Sequence, residues 1–113
     1  MHELVIVEGI MKAAIPDAEK HGAKKILAIR LKIGELSGVV PSCIQEYFSL
    51  ISKGTMAEAA KIEIEKIPIT IRCNECGYEG EIGRMRIRCP KCESSQIRIL
   101  SGKEYFVDSL EVE

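Results

Sequence analysis

Cys73, Cys76, Cys89 and Cys92 stand in the chain as C-x2-C-x12-C-x2-C. A two-residue gap lets both thiolates of a pair turn inward on one tight knuckle, and the longer gap brings the second knuckle opposite the first. Four soft sulfur ligands at ~2.3 Å suit a tetrahedral zinc, with disulfide pairing or an iron–sulfur site as the alternatives. Closed coordination leaves no position for a reactive water, so a zinc held here is structural. The sequence also lacks a G-x-S-x-G elbow, a Walker loop and a Gly-rich dinucleotide turn, and has only two histidines. Nothing in it composes an active site, and the chain reads as a non-enzyme.

A second candidate lies at the other end of the numbering. His2 follows the chain's own amino terminus. An α-amine, an amide nitrogen and an imidazole placed in this order can close adjacent five- and six-membered chelate rings around one ion. That planar, nitrogen-rich field suits Ni(II) or Cu(II) better than zinc, calcium or magnesium. The amine (pKa ~7.7–8.0) and the imidazole (~6.5) must shed their protons to ligate, so affinity falls with pH. The alternative is an ordinary solvated terminus.

Other reactive types have plainer readings. His21, before Gly22, supplies a basic last turn and a left-handed stop to a helix. Cys43, away from the quartet, reads as a small buried side chain. Arg84, Arg86 and Arg88 alternate with Met85 and Ile87, as on a strand leading into the second knuckle, which invites a nucleic-acid reading. Against it, residues 72–103 hold seven Lys or Arg and four Glu, a tetrathiolate zinc adds two negative charges, and Tyr78 is the segment's one aromatic for stacking on a base.

The elements that must position these groups alternate between helix and strand. Leu4, Val7, Met11, Ala14 and Ala18 recur at three and four, predicting an amphipathic helix that Pro16 should bend or shorten. Lys25 to Gly34 alternates as a half-exposed strand, and Gly34-Glu35-Leu36-Ser37-Gly38 ends it. Val40, Ile44, Tyr47, Phe48 and Ile51 mark a second helix, with Pro41 in its first turn and Gly54 beyond its end. Thr55 to Ala60 reads as a turn, and Ile62 and Ile64 alternate with Glu63 and Glu65 in a second strand. Beyond Lys66 the alternation changes phase around Pro68, the mark of a bulge or a new subdomain. Glu104 to Glu113 reads as a final strand with Phe106, Leu110 and Val112 on one face. The predicted class is α+β: two helices on a three-stranded sheet over 1–68 plus 104–113, with an inserted zinc-ribbon-like domain of short β-strands over 69–103.

With 113 residues, 46% apolar, and a net charge of −1, the chain can build one ordinary domain or two small ones. No apolar run approaches the ~18–20 residues that span a bilayer, and the start lacks a basic-then-apolar signal. Cysteines spaced for metal suit a reducing compartment, so the expected location is cytoplasmic, with no membrane and no nucleic acid as partner.

Several segments together carry a resemblance: Met1-His2-Glu3, His21-Gly22-Ala23-Lys24, Ile33-Gly34-Glu35-Leu36-Ser37-Gly38-Val39, the Lys53-Gly54-Thr55 turn leading to Ala57-Glu58, and the cysteine quartet. In register along essentially the whole chain, it resembles the HypA/HybF family of hydrogenase nickel-incorporation proteins. The resemblance implies a nickel metallochaperone whose transient Ni(II) is bound by the Met1 amine, the His2 imidazole and main-chain nitrogen of His2 and Glu3. It implies a structural zinc on Cys73, Cys76, Cys89 and Cys92. The implied partners are the HypB-type accessory GTPase of hydrogenase maturation, the large subunit of a nickel–iron hydrogenase and, in some organisms, urease maturation proteins, with the chain acting as monomer or homodimer. Val39, Val40 and Pro41 stand where some relatives carry an acidic residue, and the zinc segment has no histidine, so further side-chain nickel ligands are not implied. The alternative is a zinc-ribbon module that binds nucleic acid or the transcription apparatus.

Overall fold

The computed structural model describes residues 3–113. Two helices and six strands follow in the order α1 (Glu3–Lys20), β1 (Ile26–Gly34), α2 (Pro41–Ile51), β2 (Lys61–Ile67), β3 (Ile69–Cys73), β4 (Glu79–Ile82), β5 (Ile97–Ser101) and β6 (Tyr105–Val112). They make two compact units. The first comprises Met1–Lys32, Val39–Glu65 and Phe106–Glu113, and the second Ile33–Gly38 and Lys66–Tyr105. The class is α+β, as the periodicities predict.

In the first unit α1 buries Glu3, Val7, Ile10, Met11, Ala14 and Ala18, a stripe of three- and four-residue steps. The sequence places Leu4 at the head of that stripe, but Leu4 is 42% exposed and Glu3 only 7%. Both lie one turn before Val7, so spacing alone cannot choose between them, and hydropathy favours the wrong one. Nor does Pro16 shorten the helix, which runs unbroken to Lys20. Pro16 and Lys12 are both exposed, so the carbonyl that loses its donor can turn to water. Beyond Lys20 the chain ends the helix with paired bonds from Ala23 N–H to the Ala18 carbonyl and from Gly22 N–H to the Glu19 carbonyl, both 3.0 Å. Gly22 takes φ 72°, the left-handed stop expected at this position.

The first sheet has the order β2-β1-β6, so the carboxy-terminal strand returns to lie beside β1. Charge follows that order. Arg30 on the central strand meets Glu63 of β2 at 2.8 Å and Glu111 of β6 at 2.9 Å, and Lys32 meets Glu65 at 3.6 Å and Asp108 at 4.0 Å. These half-exposed pairs fix strand neighbours more than they add stability. Ile29, Leu31 and Ile62 join Ile44 and Phe48 of α2 and the α1 stripe in the core, and α1 packs on α2. On β6 the expected apolar face is poorly covered, with Phe106 46% and Val112 39% exposed.

The second unit centres on β3, which pairs antiparallel with β4 and β5. Ile69, Ile71 and Cys73 are buried, whereas Arg72, opposite Glu79 and Arg98, is exposed. The predicted strand through Arg84, Arg86 and Arg88 does not form. Residues 83–88 have no strand, Met85 is 95% exposed and Ile87 40%. The alternation there pairs with no strand, and β3 is already flanked by β4 and β5. The segment after β1 belongs to this unit: Gly34 N–H donates to the Glu104 carbonyl and Leu36 N–H to that of Gly102, each at 2.7 Å. A Cβ on Gly34 would collide with the Gly102 carbonyl and sit 2.9 Å from that of Glu104, so only glycine lets these backbones approach. No helix among the described residues is long and apolar enough to cross a membrane.

Candidate metal centre

The four quartet cysteines come together. Their sulfurs all lie within 4.8 Å of one another. Cys73 Sγ is 3.6 Å from Cys92 Sγ, and Cys76 Sγ is 3.6 Å from Cys89 Sγ. A tetrahedron with ~2.3 Å metal–sulfur bonds has edges of roughly 3.8 Å, so the spacing fits a zinc ion, whereas it is far longer than the ~2.05 Å of a disulfide. Each knuckle contributes one buried cysteine, Cys73 or Cys89, and one exposed cysteine, Cys76 or Cys92.

The two knuckles are built to the same plan. The Cys73 N–H donates to the Tyr78 carbonyl at 2.8 Å and the Cys89 N–H to that of Ser94 at 2.9 Å. At the fifth position, Gly77 N–H donates to the Cys73 carbonyl at 3.1 Å and Glu93 N–H to that of Cys89 at 2.9 Å. Both fifth residues have positive φ, 78° for Gly77 and 63° for Glu93. Glycine adopts that region freely, while a glutamate is strained in it. Glu93 also holds Arg86 at 2.8 Å. Nothing in the sequence pattern signals the strained residue except its equivalence to Gly77 once the knuckles are superposed by hydrogen bonds.

Backbone N–H groups prepare the sulfurs for deprotonation. Cys73 Sγ receives the Cys76 N–H at 3.4 Å, and Cys89 Sγ receives those of Lys91 and Cys92 at 3.4 Å each. As a thiol, Cys73 is lowered to about 7, chiefly by the Cys76 N–H and against the loss of water. Burial raises Cys89, yet the N–H groups of Cys92 and Lys91 outweigh it and leave it lowered. The second cysteines run the other way. Cys76 and Cys92 are lowered by the N–H groups of Tyr78 and Ser94, but desolvation and the neighbouring sulfurs dominate, raising Cys76 and pushing Cys92 up to about 12. Four sulfurs this close cannot all ionise alone. A divalent cation among them removes that repulsion, which is the chemistry of a metal site and not of a free nucleophile. Cys43 is half-buried and lies outside the cluster, and no second group of potential ligands forms among the described residues.

Of the expected nickel ligands, Met1 and His2 lie outside the described residues, and Glu3 lies inside them. Its carboxylate Oε2 accepts the Val40 N–H at 3.1 Å. Val40 is the N-cap of α2, so the side chain of this expected nickel-site residue is tied to the start of the second helix. His21, as expected, serves the end of α1, its Nδ1 lying 2.8 Å from the Asp17 carbonyl oxygen.

Comparison with known proteins places this geometry in a family. The HypA model, described as hydrogenase/urease nickel incorporation, metallochaperone, matches residues 1–112. The hydrogenase maturation factor HypA of Dehalococcoides mccartyi is 39% identical over 113 residues, covering 100% of this chain and 95% of the relative. That of Moorella thermoacetica is 35% identical with both chains fully covered. Among solved structures, the nickel metallochaperone HypA from Helicobacter pylori superposes with a TM-score of 0.69 at 25% identity, covering 99% of this chain and 97% of that one. A second HypA solution structure gives 0.73 at 25% identity, covering 100% of this chain and 97% of that one. With its whole length matched and its architecture shared, the chain belongs to the HypA family of hydrogenase and urease nickel-incorporation metallochaperones.

Proposed function

We propose that this chain carries Ni(II) for the maturation of a nickel–iron hydrogenase, binding it at the amino terminus and releasing it to a partner without catalytic turnover. The match of the nickel-incorporation family model to residues 1–112 carries this reading, and it gives Met1-His2-Glu3 a purpose that an ordinary terminus lacks. The Met1 amine, the His2 imidazole and the main-chain nitrogens of His2 and Glu3 would supply a square nitrogen field suited to Ni(II). Cargo must leave as well as bind, and a site made of two or three terminal residues can be stripped by a partner without unfolding the domain behind it.

Cys73, Cys76, Cys89 and Cys92 would hold a resident zinc, which supplies cross-linking and charge neutralisation within residues 69–103. The remainder, 1–68 and 104–113, would be the nickel-carrying layer. The recipient is the large subunit of the hydrogenase, with the HypB-type GTPase as the exchange partner, in a reducing cytoplasm that keeps the thiols available. The arginine segment that favoured a nucleic-acid module is an exposed loop, which leaves that alternative without its supporting strand.

A transfer assay tests the proposal. Nickel-loaded chain is mixed with a nickel-free large-subunit precursor, with and without the GTPase, and nickel on the precursor is measured. The native chain should deliver its nickel. Delivery by His2→Ala equal to that of the native chain would reject the amino terminus as the carrier site.

A further inference from the structure

Glu3 has a role that ligand chemistry does not require. It is a buried carboxylate, 7% exposed, on the apolar stripe of α1 and in step with Val7. Burying such a group is unfavourable unless donors meet it. One donor is the N–H of Val40, at 3.1 Å and 37 residues away in sequence.

The α2 terminus explains why that bond forms. Val40 is its N-cap and makes no side-chain cap hydrogen bond. In a capping box, the third helical residue is a glutamate or glutamine that reaches back to the N-cap N–H. Here that third residue is Cys43, after Pro41 and Ser42, and it cannot do so. Glu3 therefore supplies the missing half of the box from another helix.

Its place in the chain gives the bond a further consequence. The described part of α1 opens at Glu3, and Met1 and His2 stand directly before it in the sequence. We infer that the Glu3 side chain is a positioning group for nickel, anchoring the chelating residues to the α2 N-cap through the Val40 N–H and not ligating the ion itself. This rests on the amino-terminal nickel reading above and specifies how that terminus is held. An anchored chelate loses less freedom on binding, so the anchor tightens nickel. By linkage, nickel must equally stabilise the anchor.

The test is a nickel titration at pH 7–8 with native amino termini, comparing wild type with Glu3→Gln, Glu3→Ala and Val40→Pro, alongside amide exchange at Val40. Glutamine keeps an oxygen that can accept the Val40 N–H, so Glu3→Gln should stay within about threefold of wild type while Glu3→Ala weakens nickel roughly tenfold, the order of one lost hydrogen bond. Val40→Pro deletes the donor without touching the terminus and should match Glu3→Ala, with the double variant no weaker than either single one. Nickel should slow Val40 exchange in wild type and Glu3→Gln but not in Glu3→Ala. Equal losses in Glu3→Gln and Glu3→Ala, with Val40→Pro like wild type, would make the carboxylate a ligand and overturn the inference, as would a Glu3→Ala protein that binds like wild type. If Val40→Pro fails to fold, the Gln/Ala pair decides alone. His2→Ala separates the two ideas. Unchanged nickel binding there rejects the terminal site itself, whereas Val40 exchange in the nickel-free Glu3→Ala protein reports the anchor without any metal.

Discussion

Glu93 shows how a single residue can be both conspicuous in the structure and silent in the sequence. Spacing alone identifies the four cysteines, because the metal dictates the spacing. The fifth position of each knuckle is dictated by backbone geometry, and one knuckle meets the demand with Gly77 while the other meets it with Glu93 at φ 63°. At ordinary helical or extended positions alanine outperforms glycine, but here the order should reverse. Glu93→Gly should exceed Glu93→Ala by about 1 kcal/mol in thermal unfolding of the zinc-loaded protein, both variants having lost the Arg86 pair equally. Alanine at least as stable as glycine would mean that Glu93 is not held in the left-handed region. Glu104 makes a pH-dependent contribution of the opposite visibility, since it looks like an ordinary surface acid. Its own N–H and that of Gly102, 2.6 Å from Oε1, hold its carboxyl below the usual range. A carboxylate favoured by folding stabilises at pH above its ordinary pKa of about 4.3, and that stabilisation is lost as pH falls through the lowered value. Glu104→Gln should therefore be less stable than wild type above about pH 5, with the gap closing in more acid solution. A gap that widens on acidification would contradict the assignment.

At the scale of elements, periodicity located both helices, β1, β2 and β6 because each is long enough to repeat. It failed where two patterns were equally spaced or where an alternating segment pairs with no strand. Leu4 and Glu3 compete for the same place before Val7, and the Val40 N–H, remote in sequence, favours the acid. β4 and β5 are four and five residues long, too short to stand out, yet they occupy both edges of β3. The Arg84–Arg88 alternation, better formed on paper, is left as a loop. Replacing Arg84, Arg86 and Arg88 together by Ala should accordingly leave zinc content and nickel affinity unchanged and lower stability by no more than about 1.5 kcal/mol, as expected for exposed side chains and one surface pair. Loss of zinc from the purified triple variant would show that the segment supports the metal after all.

For the molecule as a whole, the cysteine quartet lies in one unit, and the proposal above assigns the cargo to the other. Structural zinc in small finger peptides is worth roughly 10–16 kcal/mol, more than three short strands and a few isoleucines can replace. Stripping zinc with a strong chelator should release amide protection at Ile69, Ile71 and Cys73 while Val7, Ile29 and Ile44, buried in the other unit, remain protected. Simultaneous loss in both units would show a single cooperative structure. The central claim is narrower and can be met directly by counting nickel on zinc-loaded protein by equilibrium dialysis at pH 7–8. The forms compared are the native terminus, a terminus with its amine acetylated and a form with residues added before Met1. One nickel per chain beyond the zinc is predicted for the native terminus, with loss of that nickel in both blocked forms. Equal nickel on all three would contradict the account.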